Sequence, residues 1–125
     1  MEFTYEKREE VKKYLKDIFN SKSQAMAEFS VLTKTDPPAA IAQFENFIND
    51  SSWCWIAEYM LGTMGNELEE IMADIERSIE TSKEDIEREK GFVFDGKIGT
   101  NRNTLLSYEC ELEIFEHLKE KFSSI

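Results

Sequence analysis

Residues 53–90 read WCWIAEYMLGTMGNELEEIMADIERSIETSKEDIEREK, and the placing of their apolar side chains decides the fold class. Trp53, Ile56, Met60, Met64, Leu68, Ile71, Ile75, Ile79 and Ile86 follow one another at steps of three or four, with a single step of seven across Ser82. That is the period of a helix with one buried stripe. As one rod it would be about 57 Å long at about 1.5 Å per residue, well beyond an ordinary globular helix. A bend is therefore expected. Gly62 and Gly65 supply one place for it, and Ser82 with Asp85 has the spacing of a capping box that restarts a helix.

Towards the N-terminus, Val11, Tyr14, Leu15, Ile18 and Phe19 form a buried stripe on a helix expected from about Thr4 to Asn20. A serine-rich turn at Ser21 to Ser23 then leads into a short helix from about Gln24 to Lys34 that buries Met26, Phe29 and Leu32. Asp36 followed by Pro37 and Pro38 reads as an N-cap with proline at the first helical position. The helix it opens buries Ile41, Phe44 and Ile48 and ends at Asn49 and Asp50, after which Ser51 or Ser52 caps the long helix. Towards the C-terminus, Gly91 is placed to stop a helix, and Phe92 to Gly99 alternates around Asp95-Gly96 like a hairpin. A last helix from Asn103 or Thr104 carries the stripe Leu105, Tyr108, Leu112, Phe115, Leu118 and Phe122. The expected architecture is all-α. It is a single-domain bundle over residues 1–125, of about five helices, with one long, bent central helix and a short hairpin-like loop before the last helix.

Composition bounds the function. A chain of 125 residues with 41% apolar and 33% charged residues buries a core without disulfides or metals. With 15 basic and 26 acidic residues its net charge is −11, which disfavours direct binding to nucleic acid or to anionic lipid and favours a basic protein partner. The first 22 residues hold six basic and five acidic side chains, so the acidity lies beyond them. The polar start, Met1 to Arg8, lacks the apolar centre of a signal peptide, and no membrane-length apolar run occurs, so a cytoplasmic location is expected. Cys54 and Cys110 have no metal-ligand spacing and read as buried small hydrophobes.

Catalytic chemistry is poorly supplied, and the chain is not expected to be an enzyme. Its one histidine, His117, follows Ile114 at the position where a carboxylate-bridged metal bundle requires glutamate. Gly62-Thr-Met-Gly65 matches no phosphate loop. An oxygen-only cation site at Glu67, Glu70 and Asp74 is the one metal arrangement the sequence permits, and no metal or cofactor is expected.

Three features remain as candidates for binding. Trp55 and Tyr59, four apart, point away from the stripe that holds Trp53. They make residues 53–65 apolar nearly all round, which places this segment inside the bundle; the alternative is an exposed aromatic anchor. Glu69, Glu76, Glu80, Glu84 and Glu87 share one face, where Glu76, Glu80 and Glu84 repeat an unfavourable i, i+4 like-charge pair and only Glu84 with Arg88 is spaced to relieve it. Asp95 and Lys97 stand on the loop as a further contact. The functional expectation is an acidic inhibitor of a basic protein, with an immunity protein against a nuclease toxin put first. A phage-encoded, nucleic-acid-mimicking blocker of a host defence nuclease is the close alternative. A structural or adaptor protein that assembles through the Trp55 and Tyr59 face is the alternative from another class.

Overall fold

A computed structural model describes residues 4–65, 67–94 and 102–125, and they are almost wholly helical, with no strand among them. The helices are α1 (Tyr5–Thr35), α2 (Pro37–Ala42), α3 (Phe44–Thr63), α4 (Leu68–Phe94) and α5 (Arg102–Ser123). Among the described residues no helix is long and apolar enough to cross a membrane. The all-α expectation is met, and the central rod is indeed interrupted near Gly62 and Gly65. The chain divides there into two compact units, Met1–Met64 and Gly65–Ile125.

The first unit is a helical hairpin. Thr4 caps α1 by accepting from the Lys7 amide, and α1 then runs through the serines expected to form a turn. Tertiary partners explain why it does not break there. Lys22 pairs with Asp50 of α3 at 3.2 Å, and the Ser23 hydroxyl meets Cys54 Sγ at 3.6 Å. The same two contacts carry α3 through Asp50 and Ser52, residues that read as punctuation; Ser52 is buried. Phe29 stacks on Phe47 at 4.4 Å, so the pairing runs antiparallel from Phe29–Phe47 to Ser23–Cys54. Between the two long helices, Asp36 caps α2 by accepting from the Ala39 amide, with proline opening the helix as its sequence predicts. That helix is only six residues long. In place of burying Ile41 and Phe44, it and the start of α3 leave Ile41 78% exposed and Phe44 at the surface.

The second unit is also an antiparallel helical hairpin. Ile71, Ile75, Ile79 and Ile86 of α4 and Ile114, Phe115, Leu118 and Phe122 of α5 are buried, with Cys110 beside them in the sequence of the α5 core. Lys119 pairs with Glu76, and Arg88 with both Asp85 and Tyr108, which sets residues of α4 and α5 level when their numbers sum to about 195. Helix α4 is unbroken at Ser82. This serine is 3% exposed and fills the position of the isoleucine stripe that the step of seven skips, so it is a core residue and not a cap.

Helix α4 also continues through Gly91 to Phe94, so Phe92 to Phe94 are helical and do not begin a strand. The remainder of the expected hairpin, with Asp95 and Lys97, lies outside the described residues. A methyl group added at Gly91 would have no heavy atom within 4 Å. Gly91→Ala is therefore expected to raise stability by about 0.5–1 kcal/mol, since alanine is the better residue within a helix. Had Gly91 been the left-handed stop, the same change would cost about 1 kcal/mol, so the sign of the shift in the urea midpoint decides between the two.

Candidate functional site

Helix α4 turns the five glutamates Glu69, Glu76, Glu80, Glu84 and Glu87 outward, all of them exposed. At about 100° per residue they fall within about 80° of its circumference, so they share a face as their spacing implies. The pairing along that face differs from the expected one. Arg88 does not reach Glu84; it holds Asp85 at 2.6 Å and Tyr108 of α5, and these partners raise its already high pKa. Glu84 and Glu69 take no ion pair among the described residues. Glu80 and Glu87 instead stand 3.8 Å and 4.0 Å from Lys83 and Lys90, each three residues further along. Asp74 is taken by Arg77.

The second helix contributes to the same side. Lys119 of α5 pairs with Glu76 across the hairpin, and its ammonium is held above the ordinary lysine pKa by that hydrogen bond and charge first, with Glu116 and Glu80 adding to the effect. Carboxylates of both helices thus converge on one cation. At the other end of this face the two helices enclose an open groove of about 560 Å³. Ile86 and Leu112 form its floor, Lys83, Glu87 and Lys90 the α4 wall, and Glu109 and Glu113 the α5 wall. The glutamates of α5 also lie on its exposed side, but the period of one helix carries no information about which side of the neighbouring helix they will meet. Glu109, Glu113 and Glu116 therefore cannot be read from the sequence as companions of the α4 stripe.

Trp55 and Tyr59 belong to the first unit. Their rings meet edge to face at 6.4 Å, and they are 42% and 52% exposed, so the expectation that they lie inside the bundle is overturned. The period of α3 explains the error. Ile48, Ser52, Ile56, Ala57 and Met60 take the buried positions, and the two aromatic rings fall beyond them on the solvent side. Cys54 and Cys110 are both buried, and neither forms a disulfide among the described residues.

No group of three or more histidine, cysteine or carboxylate side chains among the described residues is arranged to hold a metal ion. Glu67, Glu70 and Asp74 are accordingly not gathered into a site: the Asp74 carboxylate is engaged by Arg77, and the Glu70 side chain folds against Gly65. What the second unit offers chemically is a broad face of solvated carboxylates interrupted by lysines. Comparison of the chain with protein-family models, with curated proteins and with solved structures finds no match to any of them.

Proposed function

We propose that this chain is a non-enzymatic acidic inhibitor that binds and neutralises a basic protein, in the first instance as an immunity protein against a nuclease toxin. The observation that carries the reading is the convergence of α4 and α5 carboxylates on one face, where Glu76, Glu80 and Glu116 all act on Lys119. An enzyme that handles nucleic acid keeps a positive cleft for phosphates, and such a face complements it. The lysines within the face do not block this use. Exposed ion pairs such as Lys83 with Glu80 are worth about 0–1 kcal/mol, so arriving cations exchange with them at small cost while steering still speeds encounter. A phage-encoded blocker of a host nuclease would use the same complementarity.

The exposed Trp55 and Tyr59 pair favours a second reading, assembly or adaptor binding through an apolar contact. Salt separates the two, because screening weakens a carboxylate interface and leaves an apolar one largely intact. The test is capture of partners from the native host by the tagged protein, eluted at low and then high salt, with the eluted protein assayed for nuclease activity. Glu76, Glu80 and Glu84 changed together to Lys should weaken capture by about a hundredfold or more while leaving the helical circular dichroism unchanged. Undiminished capture by that variant at physiological salt would remove the stripe from the interface. Recovery of only the protein itself, in a salt-resistant oligomer, would favour assembly.

A further inference from the structure

We propose that the groove between α4 and α5 receives an arginine side chain of the basic partner, its stem over Ile86 and Leu112 and its guanidinium against Glu109 and Glu113. This rests on the inhibitor reading and adds the residue type and place that the partner must present. The two walls differ in charge. On the α4 wall Glu87 stands with Lys90, and Lys83 leans towards Glu80 outside the groove lining, so the charges of that wall are engaged along α4 itself. On the α5 wall Glu109 and Glu113 are an i, i+4 like-charge pair with no ion pair among the described residues. Such a pair destabilises the free helix slightly, a repulsion that a cation placed between the two carboxylates would relieve.

The floor selects the kind of cation. Ile86 is buried and Leu112 half-buried, so they present apolar surface at the base of a space of about 560 Å³ that is open to solvent. A small hydrated ion leaves that surface wet. Arginine covers it with its methylene stem while its fixed fork of N–H donors reaches carboxylates on one side. Lysine offers a similar stem but a compact, strongly hydrated head, and should bind less well.

The probe is a short, capped helical peptide with a single arginine flanked by leucines one turn away, titrated into the whole protein at low salt and followed by the methyl resonances of Ile86 and Leu112. Saturable shifts of both are expected, with affinity falling about tenfold when citrulline, the neutral isostere, replaces the arginine, because the charge-assisted hydrogen bonds are lost. Glu109→Gln with Glu113→Gln should produce a similar loss without unfolding the hairpin, since both residues are exposed and their mutual repulsion is removed. Glu6→Gln with Glu28→Gln, exposed residues of α1 that do not line the groove, should leave peptide affinity within twofold. Equal weakening by the two double variants, or binding that does not move the two methyl groups, would overturn the groove while leaving the inhibitor reading intact. Absence of peptide binding would also overturn it. Loss of partner capture is read in the separate salt experiment, so the two failures are distinguishable.

Discussion

Ser82→Asp is expected to destabilise the second unit by about 3–5 kcal/mol at neutral pH, which makes it among the most damaging single changes in the chain. The position is 3% exposed, between Ile79 and Ile86 on the buried stripe of α4. A carboxylate forced there loses its hydration, and full burial raises a carboxyl pKa by about 3–5 units; neutral pH lies about 3 units above the unfolded value, which at about 1.4 kcal/mol per unit makes the penalty there about 4 kcal/mol. The pH dependence has a definite sign. Since the folded-state pKa of the new acid lies above its unfolded value of about 3.9, the penalty is small near that value, grows as pH rises, and is constant above the folded pKa. Urea unfolding of the variant at acidic and neutral pH measures this difference. Thr81→Asp, one residue earlier and exposed, should stay within about 0.5 kcal/mol of the parent. A helix cap would behave otherwise, because aspartate replaces serine at an N-cap almost without loss. A neutral result at residue 82 would therefore restore the capping box and break α4 in two.

The same residue marks the boundary of what the sequence makes legible. Period is easily read: the isoleucines of α4, Leu118 and Phe122 of α5, and Val11 with Leu15 of α1 all occupy the buried faces their spacing assigns. Asp36 with its two prolines is an equally local signal, and the structure places the cap where the residues imply. The errors fall where a polar or glycine residue has a tertiary reason for its place. Ser23, Lys22 and Asp50 look like breaks between short helices, yet each finds its partner on the opposite long helix, and α1 and α3 continue through them. Gly91 has the identity of a helix stop without the surroundings that would require one.

The candidate face was legible by halves for a related reason. The glutamates of α4 are visible as a stripe because they repeat along one helix. The decision whether Glu109 and Glu113 lie beside them depends on the antiparallel register of α5, which only the packing sets. Arg88 shows the limit for ion pairs as well. At i+4 from Glu84 it has the favoured spacing, but Asp85 at i−3 and Tyr108 across the hairpin hold it to the other flank of α4. Trp55 and Tyr59 fail differently. Aromatic residues are buried more often than not, yet the angular position of these two puts them outside the α3 stripe.

Phe122→Ala is expected to cost about 3–5 kcal/mol, as large a loss as a deep core deletion produces. The expectation runs against the position of the residue in the last turn of α5, where helices usually fray. Phe122 is nevertheless fully buried and is the largest side chain to be so among the described residues. By the register of the second unit it stands level with Ile71 and Ile75, at the α4 end from which the glutamate stripe begins. Removing its ring leaves a cavity there that the surrounding side chains only partly fill, and it does so one turn beyond Lys119, whose pairing with Glu76 joins the two helices on the carboxylate face. Phe122→Leu, which keeps most of the volume, should lose about 1–2 kcal/mol. His117→Ala, on the same helix but exposed, should change stability by no more than about 0.5 kcal/mol. Urea midpoints for the three variants, with m values compared to the parent, test the order directly. If Phe122→Ala unfolds at the parent's midpoint, the end of α5 is frayed, and the Lys119 to Glu76 contact has no packed helix to support it; if the order holds, the carboxylate face rests on a hairpin that is locked by its own last turn.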